Sequence, residues 1–190
     1  MYSLIRVKDV IRIPPAKFGR PVKDVALEEL RSKYEGTIAS IESKGGEHKL
    51  GIIVTIIDVK VDENGRILPG DGATYHDVEM SALVFSPFIK EVVEGEAVTV
   101  AKSGIYLNLG VLDGFIHINQ VSEEKVSYDN ARSVIILEES HRTIEKGDIL
   151  RAKIYTIGIL PGKGLRIHMT MRQPYLGKLE WVSKQVGQGE

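Results

Sequence analysis

Residues 94 to 121 read EGEAVTVAKSGIYLNLGVLDGFIHINQV, and the fold turns on them. Ala97 to Ala101 is a strand-like run that breaks at Ser103-Gly104. A second run, Ile105 to Leu109, ends where Gly110 to Asp113 turns the chain, and Gly114 to Ile118 is a third. Short runs joined by glycine-marked breaks predict a tight antiparallel meander. In the third run, alternation sets Phe115 and His117 on one face and Ile116 and Ile118 on the other, where a barrel core is expected.

The chain on either side extends this pattern. Ile89 to Val93 opens the unit. After the meander comes a polar insertion, Ser122 to His141, whose apolar run Val134 to Leu137 predicts one more strand. Glu145 to Asp148 is a turn, Ile149 to Ile157 a fourth barrel strand, Leu160 to Gly164 a turn, and Leu165 to Met171 a fifth strand. Five strands with a long connection between the third and fourth fit a five-stranded OB-fold barrel. Tyr175 to Val186 is amphipathic and expected to be helical, and Gly187 to Gly189 to fray.

Towards the N-terminus the signals change. Tyr2 to Ile13 alternates apolar and charged residues as a half-buried strand does, and Pro14-Pro15 stops it. After Pro21, the positions Val22, Val25, Ala26, Leu27, Leu30 and Tyr34 recur at helical spacing, with Gly36 as the expected C-cap. Thr37 to Ile41 predicts a short strand, 43–47 a Gly-Gly turn, and Leu50 to Val61 a central strand covered on both faces, since it is β-branched almost throughout. Asp62 to Gly65 is a turn signal, Arg66 to Gly72 a glycine-punctuated exposed tip, and Ala73 to Phe85 a strand. The expected fold is therefore α+β, one helix on an antiparallel sheet (residues 1–82), followed by an all-β barrel (83–190), with the boundary near Leu83.

Composition bounds the rest. The chain has 190 residues, enough for two small domains, with 43% hydrophobic and 27% charged side chains. No apolar stretch reaches the roughly 18 residues of a membrane span, and MYSLIRVKD lacks a signal-peptide core, so a cytoplasmic protein without membrane attachment is expected. The absence of cysteine removes disulfides and thiolate zinc sites. Net charge is only −1, so any nucleic-acid binding must come from a local patch. Such a patch is present: Arg142, Lys146, Arg151, Lys153, Lys163, Arg166, Arg172, Lys178 and Lys184 face only Glu145, Asp148 and Glu180 over that segment.

The meander closely resembles the S1 motif, an RNA-binding OB-fold domain. The residues that carry the resemblance are Gly104-Ile105-Tyr106-Leu107 and Gly114-Phe115-Ile116-His117-Ile118. Single-stranded RNA needs rings on which bases stack and cations for phosphates. In an S1-like barrel those come from the second and third strands, here Tyr106, Phe115 and His117 with Lys102, joined by Arg151, Lys153, Arg166 and His168 from the last two. Ser103 departs from the motif, since strong binders often carry an aromatic there, so weaker and less selective binding is expected.

Catalytic signatures are lacking. Pro161 to Gly164 contains Gly-Lys without the upstream Gly or following Ser/Thr of a phosphate loop. Asp58, Asp62 and Glu63 faintly suggest a calcium loop, but Lys60 occupies a ligand position and no bidentate Glu follows. His48, His76, His141 and His168 are not at zinc spacing. No metal, cofactor or catalytic residue is expected.

Over its whole length the chain resembles one family, the archaeal RNA polymerase E-prime subunits, seventh in the enzyme's series. The landmarks are MYSLIRVKDVIRIPP, Tyr34-Glu35-Gly36, Leu50 to Val54, Ile67 to Ala73, Leu83 to Phe88 ahead of Gly95-Glu96, and the S1-like meander. The resemblance implies a stalk protein whose N-terminal, RNP-like domain pairs as a heterodimer with the RNA polymerase F subunit (the fourth) and docks on the polymerase core near the clamp, while the S1 domain meets emerging transcript. Carried over, Arg66, Ile67, Leu68, Pro69, Gly70, Asp71 and Gly72 form the tip inserted into the core. The 122–141 insertion either docks the partner or decorates the barrel. Leu4, Val7, Val10, Val22 and Val25 are candidates for the partner surface. Two other readings remain open at this point: a free-standing S1-domain RNA-binding factor of translation or RNA decay, and a structural clamp that never touches RNA.

Overall fold

The computed structural model describes residues 1–42, 48–160 and 164–186. The expected turn at 43–47 and residues 187–189 lie outside them, as do 161–163 of the turn after Leu160. The chain divides into two compact units, Met1–Ser86 and Pro87–Glu190.

In the first unit, β1 (Tyr2–Ile13) leads through a one-turn 3-10 helix at Pro15–Lys17 into α1 (Val22–Tyr34), then β2 (Ile38–Glu42), β3 (His48–Val61), the two-residue β4 (Arg66–Ile67) and β5 (Thr74–Phe85). The antiparallel sheet runs β1-β5-β3-β2, and β4 adds to β5 opposite Thr74 and Tyr75. Alternation in β1 buries Ile11 and Ile13 and leaves Leu4, Arg6, Lys8, Val10 and Arg12 on the open face. On the covered face, Val25, Ala26 and Leu30 of α1, each fully buried, pack on Ile11, Ile13, Ile56, Val59, Val78 and Met80. Burying a Leu-sized side chain is worth roughly 1.5–3 kcal/mol, so this layer holds the helix. The last helical turn adds polar fastenings. Arg31 donates to Ile56 O at 3.1 Å, and Lys33 and Tyr34 both reach Asp9 Oδ2 at 2.6 Å. Gly36 has a positive φ of 78°, as a C-cap glycine would, but its N–H donates to Ile53 O across the sheet.

Three expectations need correction here. β3 is an interior strand as expected, paired between β5 and β2, but it is covered on both faces only at Gly51 to Ile53. Beyond these, two bulges turn Ile57 outward, 53% exposed. The first unit also ends later than Leu83. β5 runs through Phe85, and Ser86 is fastened to the same unit by N–H donation to Met1 O and Oγ donation to Leu50 O. Val25, a candidate for the partner surface on sequence grounds, is core, and Val7 and Val22 are half-buried against it.

The second unit contains β6 (Val92–Ala101), β7 (Gly104–Asn108), β8 (Asp113–His117), β9 (Val126–Asp129), β10 (Val134–Leu137), β11 (Arg142–Ile144), β12 (Ile149–Leu160), β13 (Gly164–Thr170), β14 (Gly177–Lys178) and α2 (Leu179–Val186). The order β13-β8-β7-β6-β12, with β12 also pairing β13, closes a five-stranded barrel whose one parallel seam is β8–β13. Ile105, Leu107, Ile116, Leu150, Ala152, Ile154, Ile167 and Met169 fill it. Gly104 is needed where β7 meets β8, because a Cβ there would stand 2.1 Å from Ile116 O. Of the run expected at Ile89 to Val93, Ile89 and Lys90 form a turn, and only Val92 and Val93 join Ala97 to Ala101 in the single strand β6. Its Gly95 lets Asn108 O approach to where a Cβ would lie, 2.4 Å away.

The insertion is more ordered than expected. β9, β10 and β11 form a separate three-stranded antiparallel sheet with Ile135, Leu137 and Ile144 buried. Glu124 ties its ends, accepting from Glu139 N, Ser140 N and Ser140 Oγ at 2.8 to 3.0 Å. The C-terminal helix starts at Leu179 instead of Tyr175, because residues 177–178 pair with β12 first.

Candidate nucleic-acid interface

Strand register gathers aromatic side chains into a row on the outer face of the barrel. Tyr106 of β7 stands opposite Phe115 of β8, Phe115 opposite His168 of β13, and His168 opposite Thr156 of β12. Directly paired residues share a face, so one outward residue carries the rest with it. Tyr106 and Phe115 have ring centroids 4.9 Å apart, and Phe115 and His168 5.9 Å. His117 continues along β8, 6.3 Å from Phe115. Its Nδ1 accepts from Asn119 N at 3.2 Å, which fixes the exposed ring with Nε2 as the outward nitrogen. Ile116 is in the core as expected, but Ile118 begins a 3-10 turn and is only half-buried.

The cations are less evenly gathered. Lys102 is exposed in the turn between β6 and β7, at the end of the sheet where Gly104 faces His117. Arg166 lies two residues before His168 on β13, opposite Gly158, and its buried Nε has no hydrogen-bond partner among the described residues. Arg151 and Lys153 stand five and three residues back along β12 from Thr156, roughly 16 and 10 Å at about 3.3 Å per residue. Arg151 is taken up by Glu94 at 2.7 Å, and Lys153 donates to Gln173 at 3.0 Å.

The loop from Arg66 to Gly72 in the first unit is exposed, with Ile67 at 70% and Leu68 at 49%. Its foundation is Asp71, which accepts from Arg12 Nε and Nη2 at 2.8 and 2.9 Å, from the Tyr75 hydroxyl at 2.7 Å and from Ala73 N at 3.1 Å. These donors, Arg12 first, hold the Asp71 carboxyl well below the usual carboxylate range, and the same pairing pushes the Arg12 guanidinium and the Tyr75 phenol up. Arg66 pairs with Asp77.

Among proteins of known role, DNA-directed RNA polymerase subunit Rpo7 of Saccharolobus shibatae is 43% identical over 185 residues, 97% of this chain and 98% of that protein. Rpo7 of Sulfolobus acidocaldarius is 40% identical over 186 residues, 98% and 97% of the two chains. The chain belongs to the Rpo7 family of DNA-directed RNA polymerase subunits. Residues 8–72 of this family member match the SHS2 domain found in N terminus of Rpb7p/Rpc25p/MJ0397, and residues 86–157 match the S1 RNA binding domain. DNA-directed RNA polymerase II subunit rpb7 of Schizosaccharomyces pombe is 28% identical over 172 residues, 89% of this chain and 94% of that one. The α+β unit followed by an S1 barrel is thus the Rpo7 arrangement.

In this Rpo7-family chain the structure brings together Tyr106, Phe115, His117 and His168, sets Arg166 beside them and Lys102 at the edge, and leaves Arg151 and Lys153 apart. One ring escaped the sequence reading. Tyr155 is 42% exposed, with its centroid 6.3 Å from that of His168. No helix among the described residues is long and apolar enough to cross a membrane.

Proposed function

We propose that the chain is the non-catalytic stalk subunit of its polymerase. It pairs with the small F subunit, docks on the polymerase core near the clamp through the loop Arg66 to Gly72, and holds emerging single-stranded RNA on the outer face of the S1 barrel. It works in the cytoplasm. The observation that carries the RNA assignment is the row Tyr106, Phe115, His168 with His117 beside it: rings from three strands on one open face offer π-surfaces to unstacked bases without selecting sequence. Arg166 and Lys102 supply cations for phosphates at its margins.

The loop suits insertion because its apolar residues, Ile67 and Leu68, point away from the unit while Asp71 is spent internally. On the open face of the sheet, Tyr2, Leu4 and Val10 are 52%, 67% and 45% exposed and suit a protein partner. Affinity purification of the tagged chain from its own cells at moderate salt tests the assignment. A stoichiometric small partner with the large polymerase subunits is expected; ribosomal or RNA-decay components, or the chain alone with RNA, would overturn it.

A further inference from the structure

We infer that Tyr155 is a fourth stacking ring, which extends the RNA-binding face onto β12 so that the track of bases runs across the strands from Tyr106 to Tyr155. The inference rests on the reading of the barrel face as an RNA platform. It begins with a bulge. Ile154 pairs with Met169 and Thr156 with His168, so Tyr155 and Thr156 together oppose the single residue His168. Regular alternation after the inward Ile154 would send Tyr155 out and Thr156 in. The bulge sends both out and returns Ile157 to the inner face opposite Ile167. Such insertions bend a strand and re-aim a side chain. Here the re-aimed side chain is Thr156, while Tyr155 keeps the outward direction that alternation gives it, its ring inclined 48° to His168 and next in line after Tyr106, Phe115 and His168.

What surrounds Tyr155 favours a nucleotide. The ring is nearly half exposed, on the same outer face as the row. Further along β12, Gly158 leaves open floor, since a Cβ there would meet nothing within 4 Å. Opposite that floor lies Arg166, whose buried Nε has no partner among the described residues. A base face on Tyr155 and a phosphate within charge range of Arg166 fit this surface, and a phosphodiester chain with splayed bases supplies them in alternation. Duplex RNA, whose bases are stacked on each other, cannot use the rings.

The test is a fluorescence-anisotropy titration of the full chain with end-labelled oligouridylates of increasing length. Wild type is compared with Tyr155→Ala, Tyr155→Phe and the Tyr106→Ala, Phe115→Ala double variant, each checked by circular dichroism. Tyr155→Ala is expected to weaken binding of the longer oligomers roughly 5- to 150-fold, the value of one stacked base. It should also shorten by one nucleotide the length at which affinity stops rising, while the shortest binders and Tyr155→Phe stay at wild type. If Tyr155→Ala matches wild type while the double variant loses binding, the platform stands and Tyr155 is outside it. Loss in Tyr155→Phe equal to that in Tyr155→Ala overturns stacking in favour of the hydroxyl. If neither wild type nor any variant binds, the RNA platform falls and takes the inference with it.

Discussion

Arg12 grips Asp71 through two parallel bonds, Nε to Oδ2 at 2.8 Å and Nη2 to Oδ1 at 2.9 Å, although 59 positions separate them in sequence. A glycine-rich loop that would otherwise sample many conformations is thereby tied to the end of β1. Ordering a loop before binding lowers what docking must spend on conformational entropy. Asp71→Asn should therefore speed amide hydrogen exchange across residues 68 to 73 and weaken association with the polymerase core, while α1 and the sheet keep wild-type protection. Unchanged exchange in the loop would show that the ion pair does not order it.

The same pair predicts a pH response. The folded pKa of Asp71 lies below its ordinary value of about 3.9, so its contribution is fully present above that value and is lost only as pH falls through the lower, folded one. Loop protection should persist through pH 4, where unpaired carboxylates take up protons. Loss of protection centred near the ordinary carboxylate value would contradict the pairing.

Leu30 is fully buried between α1 and the sheet, among Ile11, Ile56 and Met80. Leu30→Ala leaves a cavity there and should cost about 2–5 kcal/mol. Urea unfolding followed through a probe in the first unit should show the loss; a midpoint shift worth much less than about 1 kcal/mol would mean that the site collapses around the gap.

Gly104 allows β7 to approach β8 so closely that an added methyl group would sit 2.1 Å from Ile116 O, a backbone atom that cannot swing aside. Gly104→Ala should destabilise the barrel by about 1–3 kcal/mol through forced backbone displacement. It should also disturb the pairing of Tyr106 with Phe115 further along the same ladder. A thermal melt checks the first effect, and RNA titration of the folded fraction checks the second.

Most of this architecture was legible because periodicity and glycine turns are local signals. The register that unites Tyr106 with Phe115 follows from a short turn, and the inward Ile105 and Ile116 from alternation. Contacts between distant segments were not legible: nothing near Asp71 points to Arg12, and the β-branched run from Leu50 to Val61 hides the two bulges that expose Ile57. Strands of three or four residues such as Val126–Asp129 are too short for alternation to stand out in a polar stretch. Tyr155 did leave a trace. Ile154 and Ile157 are three apart where a regular strand would repeat inward residues every two, and that spacing marks the bulge.

Tyr106 and Phe115 lie against each other with centroids 4.9 Å apart, so removing one ring leaves the other able to shift into its place. Single alanine variants should then understate the platform, as expected for residues in contact. Tyr106→Ala with Phe115→Ala should weaken single-stranded RNA binding by about 2 to 6 kcal/mol if each ring stacks one base. A folded double variant with undiminished affinity would remove the stacking mechanism.

Arg166 acts through charge instead, and salt separates it from the rings. A cation that neutralises one phosphate of a single strand contributes roughly 0.7 to the slope of log K against log salt, whereas a stacking ring contributes nothing to that slope. Arg166→Gln should lower affinity at low salt, flatten the slope by roughly that amount and leave the ranking of RNA sequences unchanged. The double ring variant should lower affinity at every salt concentration with the slope intact. Because Arg166 Nε has no partner among the described residues, its loss breaks no hydrogen bond there, and the barrel should stay folded, which a thermal melt checks. An unchanged slope in Arg166→Gln would assign the phosphate contact to another cation, with Lys102 the next to replace.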